Sequence, residues 1–237
     1  MEKLKPNDKR ATTAITLIWI ILGLEIVMLI SGYFQHELLM TIQNGGEVSE
    51  EATSANDDRE MLIAVVYLIV NIISVVTFIQ WFRRAYYNLH LKVKTLSHTE
   101  GWAAGAWFVP VICLFRPYQI MQELYKKTQK YLSKKGVAIH TNFSTAYLGV
   151  WWALWIIANL IGHIAFRLSM SAATIDEFVS SSRISMVGNV VGIPLALLAI
   201  KVIQDYSKVE PLLSQIKEEA PNIAEDNAAT TEGDEIV

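Results

Sequence analysis

One acid stands where an acid is costly. Glu25 lies past the middle of the apolar run Ala11–Tyr33, with Gly23 before it and Ile26 to Ile30 after it. In a bilayer a charge at that depth costs on the order of 2.5–3.5 kcal/mol by insertion scales, so it must be neutralised or paired. Further polar groups interrupt other apolar runs at comparable depth: Asn71, then Asn159 and His163, then Asn189. Gathered in one bundle they would form a polar core that binds protons or ions, with Glu25 titrating and His163 as its partner. The plainer alternative is interhelical hydrogen bonding, worth only about 0.6 kcal/mol per contact.

Other chemistry has little support. The chain carries no Gly-x-Ser-x-Gly elbow, no His-Glu-x-x-His, no glycine-rich phosphate loop and no Cys-x-x-Cys. His90, His98 and Glu100 cluster in sequence, but separations of eight and two suit no single metal-binding helix face. The one cysteine, Cys113, excludes an intramolecular disulfide. No enzymatic activity, cofactor or metal is expected.

The elements that must position these residues are membrane spans. Of the 237 residues, 52% are hydrophobic, and they come in blocks. Ala11–Tyr33, Met61–Trp81, Thr145–Phe166 and Ser185–Ile203 are each long enough to cross a ~30 Å hydrocarbon core as helix. Backbone groups in lipid must be satisfied within the segment, which makes these blocks helices.

Loop charge orients them. The leader, residues 1–10, is rich in Lys and Arg, whereas Phe34–Glu60 carries seven acids against Arg59. By the positive-inside rule the leader is cytoplasmic and the acidic loop external. Gly101–Phe115 is apolar but only about 22 Å long as helix, and Pro110 and Pro117 break it. Basic residues flank it on both sides: Arg83, Arg84, Lys92 and Lys94 before, Arg116 and five lysines after. The expectation is a re-entrant or interfacial segment, with four spans and both termini cytoplasmic.

Trp81–Leu96 and Pro117–Lys135 have apolar residues at helical spacing among basic ones. Such helices lie either in the headgroup plane, apolar face in lipid, or packed on neighbouring segments with the lysines solvated. Glycine pairs at Gly101/Gly105 and Gly188/Gly192 suit close helix packing. Trp81, Trp151 and Trp152 suit an interfacial belt. Beyond Glu210 the apolar pattern fades, and residues 214–237 are expected to be a disordered acidic tail.

Several runs together are distinctive: Trp81-Phe82-Arg83-Arg84-Ala85-x-x-Asn88; Gly101-Trp102-Ala103-x-Gly105-x-Trp107-Phe108-Val109-Pro110; Pro117; and Trp151-Trp152-Ala153-Leu154-Trp155. From about Val65 to Leu213 the chain resembles the bacterial integral-membrane family catalogued as domain of unknown function 4328. Members often carry Asn where this chain has Cys113. The resemblance implies a multi-pass membrane protein and brings no activity. It directs attention to Trp81, Arg84, Asn88, Gly101, Trp102, Trp107, Phe108, Pro110 and Pro117. Arg84 and Asn88 share a helix face and could hold the broken backbone around Pro110 or a lipid phosphate.

The sequence therefore predicts an all-α integral membrane protein: a four-helix transmembrane bundle over residues 11–213, with one re-entrant segment and amphipathic cytoplasmic helices. It is expected in the cytoplasmic (inner) membrane, as a non-enzymatic protein whose basic face engages anionic lipid, a protein partner or a second copy. A small transporter or channel using Glu25 is the second expectation. No nucleic acid is expected as partner.

Overall fold

The computed structural model describes residues 4–139 and 143–216, and these are predominantly helical, with no strand among them. Four long helices dominate: α1 (Asp8–Gln43), α2 (Glu50–Lys92), α5 (Ala146–Ser171) and α6 (Ile175–Val209). Between α2 and α5 lie α3 (Trp102–Gly105), a 3-10 turn at Ile112–Leu114, and α4 (Arg116–Lys134); α7 (Leu212–Gln215) follows α6.

Each long helix contains a strongly apolar stretch of which only 17–22% is buried inside the protein. Leu62, Leu68, Ile72, Leu160 and Phe166 all point outward. An apolar surface of that extent is unstable in water and is solvated by lipid. The chain is an all-α, multi-pass membrane protein with four helices long and apolar enough to cross a bilayer.

α1 and α6 run antiparallel along their full length. Gln43 Nε2 donates to Asp176 Oδ1 (2.6 Å) at one end, and Asn7 Nδ2 to Glu210 Oε2 (2.9 Å) at the other. α1 also packs on α2, and α5 on α6, but α2 and α5 barely touch. The bundle is therefore open on one side.

The acidic loop expected at 34–60 is mostly helix, and so is the connection between the last two apolar blocks, residues 167–184. Ser49 caps α2 by accepting from the Ala52 amide (3.2 Å), and Glu50 and Glu51 in the first turn complement the helix dipole. Arg59 ties this extension to α1, donating through Nε to Ser31 Oγ (2.8 Å). Thr174 and Glu177 form a capping box that starts α6 three residues after α5 ends.

Residues 101–115 contain nothing long enough to span. α3 is four residues long, and at the tip Pro110 O accepts from the Ile112 amide (2.7 Å) around Val111 at φ 66°, ψ −48°. That is a classic γ-turn, strained for a β-branched residue. The two flanks are bonded together through His98 and Arg116 (2.9 Å), and Glu100 on the leading flank pairs with Arg83 of α2 (3.5 Å).

α4 buries its apolar side in protein. Ile120, Met121, Leu124 and Leu132 are fully buried, and Tyr125 stacks on Phe143 (4.4 Å) while donating to Val202 O (2.6 Å). Phe82, Tyr86 and Leu89 of α2 are likewise inside. The apolar faces of both segments are covered by neighbouring parts of the chain. Gly136 (φ 71°) ends α4, and the Val137 amide returns to Leu132 O (3.0 Å). Leu213 and Ile216 pack into the core; of the tail expected at 214–237, residues 217–237 lie outside the described residues.

Candidate functional site

A cavity of about 730 Å³ occupies the gap between α2 and α5. Its wall includes Glu25, Asn71, Asn159, His163 and Asn189, all five of the intramembrane polar residues singled out in the sequence. They arrive on four different helices, which is why no relay could be read along the chain.

Glu25 is held most firmly. It is 6% exposed, and its Oε1 accepts from the Tyr67 hydroxyl at 2.7 Å. A β-carbon built on Gly192 would stand 2.6–2.8 Å from its carboxyl atoms, so the carboxyl occupies the space that a side chain on α6 would take. The partner named for a titrating Glu25 was His163; that residue lines the same cavity from α5, and the bond Glu25 accepts is from Tyr67 of α2. Tyr67 reaches Glu25 because α2 packs on α1, whereas α5 packs on α6. Asn159 Nδ2 donates to Trp155 O on its own helix (2.7 Å).

Aromatic rings line the cavity at the end where α1 begins and α6 ends. Trp107 meets Phe78 and Trp155 nearly edge-on, with ring centroids 5.7 Å apart in both cases. Trp152 stacks on Trp155 (4.6 Å) and donates through Nε1 to Leu114 O (2.9 Å), fixing the far flank of the 101–115 segment. Trp81, Trp151 and Trp152 were expected as an interfacial belt; at 0%, 3% and 6% exposure they are core residues instead. Trp152 is drawn inward by Trp107 and Leu114 of the 101–115 segment, Trp151 packs on Phe78 and Trp152, and Trp81 packs among Phe78, Phe82 and Tyr206. Phe108 and Val111, at the tip of that segment, are 74% and 70% exposed.

The family-motif residues serve a second, polar junction at the same end. Asn88 was expected, with Arg84, to hold either the broken backbone around Pro110 or a lipid phosphate; it is buried against the leader and the end of α6. Its Nδ2 donates to Glu210 Oε1 (2.7 Å) and Lys5 O (2.8 Å), and its Oδ1 accepts from the Lys5 amide (2.9 Å). Arg84, one turn earlier, is near enough to Glu210 to act on its charge. Trp102 lies under Arg116 (5.8 Å), and Pro117 is buried in the first turn of α4. Gly101 and Gly105 face open space, whereas Gly188 and Gly192 sit against α5 and α1, so only the second glycine pair packs as expected.

Beside this junction, Glu123 accepts from Tyr86 Oη (2.7 Å), the Ser97 amide (2.8 Å) and Ser97 Oγ (2.9 Å). Burial would raise its carboxyl, but those bonds and nearby His98 hold it below the ordinary value. Burial and the Arg116 guanidinium hold the His98 imidazole low. Sequence reasoning missed Tyr67, Glu123 and Glu210. Tyr67 stands four residues before Asn71, and that helical spacing was a usable signal. Among the described residues no three His, Cys, Asp or Glu side chains converge on a metal-sized point.

The model of a protein family described as Domain of unknown function (DUF4328) matches residues 44–208, beginning earlier and ending slightly earlier than the resemblance suggested. No curated protein and no solved structure matches the chain.

Proposed function

The chain belongs to the DUF4328 family, and from that premise we propose that it binds a membrane-dissolved ligand in the cleft between α2 and α5. The observation carrying this reading is the cleft itself: an apolar cavity with convergent polar groups at membrane depth, between two helices that barely touch. Ligand sites between helices of a bundle have this character. In this reading Gly101–Phe115 dips into the membrane as a re-entrant plug, its apolar tip in lipid and its aromatic base closing the cleft. Both termini face the cytoplasm, as the basic leader requires. Transport across the membrane would need the same cleft to open at its aromatic end.

The test uses the full chain in lipid nanodiscs with a photoactivatable fatty alcohol. Labelling should concentrate on α2 and α5 residues of the cleft and fall at least severalfold in Ala158→Phe, which fills it. Labelling spread evenly over outward faces, or indifferent to Ala158→Phe, removes the proposal.

A second reading concerns the basic face. Lys126, Lys130, Lys134 and Lys135 are exposed on α4, whose apolar side is already used inside the protein. Engagement of anionic headgroups or an acidic partner would therefore be through charge alone. Such binding weakens steeply with salt, and salt-independent binding to anionic vesicles counts against it.

A further inference from the structure

We infer that the ligand of the α2–α5 cleft is a single-chain amphiphilic cation, its charged head at Glu25 and its apolar body running to the aromatic floor. This deepens the cleft reading above and rests on it.

Charge comes first. Among the residues lining the cavity, Glu25 is the only Asp, Glu, Lys or Arg. A buried carboxylate ordinarily has a basic partner, because an uncompensated charge at membrane depth is costly. Here the protein supplies the Tyr67 hydroxyl and no Lys or Arg, and the imidazole on the wall, His163 of α5, is not bonded to the acid. An anionic head would meet repulsion with no Lys or Arg to offset it. A neutral head would be served by the asparagines and would leave the carboxyl uncompensated. A cationic head supplies the missing charge.

Geometry sets the shape. The carboxyl cannot retreat, since Gly192 backs it on one side and Tyr67 orients it on another. Tyr67 and Phe78 both line the cavity on α2. At about 1.5 Å per residue the rise from one to the other is roughly 16 Å, so no compact ion reaches both Glu25 and the floor. Between them the wall offers Ser74 and Val75, and the floor offers Phe78, Trp107 and Trp155. Trp107 stands at 87° to Phe78 and 84° to Trp155, so the rings form a corner suited to the end of an apolar chain.

The experiment compares two probes of equal length on the full chain in nanodiscs: 12-bromododecyl-trimethylammonium and 12-bromododecanol. With the head at Glu25 the terminal bromine lies near Trp107 and Trp155, and tryptophan quenching reports occupancy. The cation is expected to quench saturably, with an apparent affinity at least tenfold above that of the alcohol, about 1.4 kcal/mol. Glu25→Gln, whose amide oxygen still accepts from Tyr67, should erase that advantage and leave the alcohol unaffected. If the two probes bind native protein equally and Ala158→Phe excludes both, the cleft reading stands and the cation inference falls. If neither probe quenches saturably, both fall. Should Glu25→Gln not fold, the ratio of the two probes on native protein, together with its persistence in Glu25→Asp, decides the matter.

Discussion

The Glu25 carboxyl lies in the space that a β-carbon on Gly192 would occupy, 2.6–2.8 Å from that position. α1 and α6 approach closely there because one partner has no side chain. Gly192→Ala must push the carboxyl or the helices apart, and overpacking of this kind costs about 1–3 kcal/mol. Thermal unfolding in detergent should report a clear loss, and Glu25→Ala in the same chain should restore part of it. An undiminished midpoint in the single variant would show that the carboxyl moves aside freely.

Asn88 bonds the leader and the end of α6 at once, through Lys5 and Glu210. Asn88→Leu leaves the buried Glu210 carboxyl with Asn7 alone and removes both bonds to Lys5. Stranding buried polar groups costs roughly 1–3 kcal/mol each. The expected result is a lower midpoint and faster proteolysis near Lys5; unchanged cleavage there would refute the tie.

The Glu123 cluster predicts an acid-sensitive junction. Its carboxyl is held low in the folded protein, so the unfolded chain binds the proton more readily. That contribution is complete above the unfolded value of about 4.3 and is lost as pH falls through the lower folded value. His98, also held low, adds a loss beginning near pH 6.5 as the unfolded imidazole takes up its proton. Unfolding midpoints from pH 7 to 3 should fall in two stages. Glu123→Gln should flatten the lower stage and His98→Asn the upper; two variants that both track native protein would contradict the assignment.

Val111 sits at positive φ in the γ-turn that reverses the 101–115 segment. Strain of this type costs on the order of 1–3 kcal/mol, and glycine relieves it for roughly 0.4–1 kcal/mol of unfolded-state entropy. Val111→Gly should therefore raise the midpoint slightly, whereas a bulky β-branched replacement should not. A fall with glycine would mean that the turn is held by the valine side chain.

The four spans, their approximate centres and the polar set of the cleft were legible in sequence, because lipid imposes apolar blocks and makes every polar exception conspicuous. Two kinds of feature were not. Helix extensions such as Glu50–Arg59 look like loop when only hydropathy is read; their capping serine and acidic first turn were the better signal. Contacts that pair distant positions were also hidden: Asn88 with Lys5, and Tyr67 with Glu25. Nothing local in the sequence distinguishes a tryptophan at a headgroup from one drawn inside by a neighbouring segment, as Trp81, Trp151 and Trp152 are.

The antiparallel seam of α1 with α6 has a consequence for biosynthesis. A ribosome delivers α1 first and α6 last of the four long helices, so Glu25 enters the translocation machinery long before Gly192 exists to receive it. Tyr67, on the very next helix and bonded through its hydroxyl to the acid in the folded chain, is the companion available to it earlier. Loss of that hydroxyl should therefore lower the yield of inserted protein more than it lowers the stability of protein already assembled.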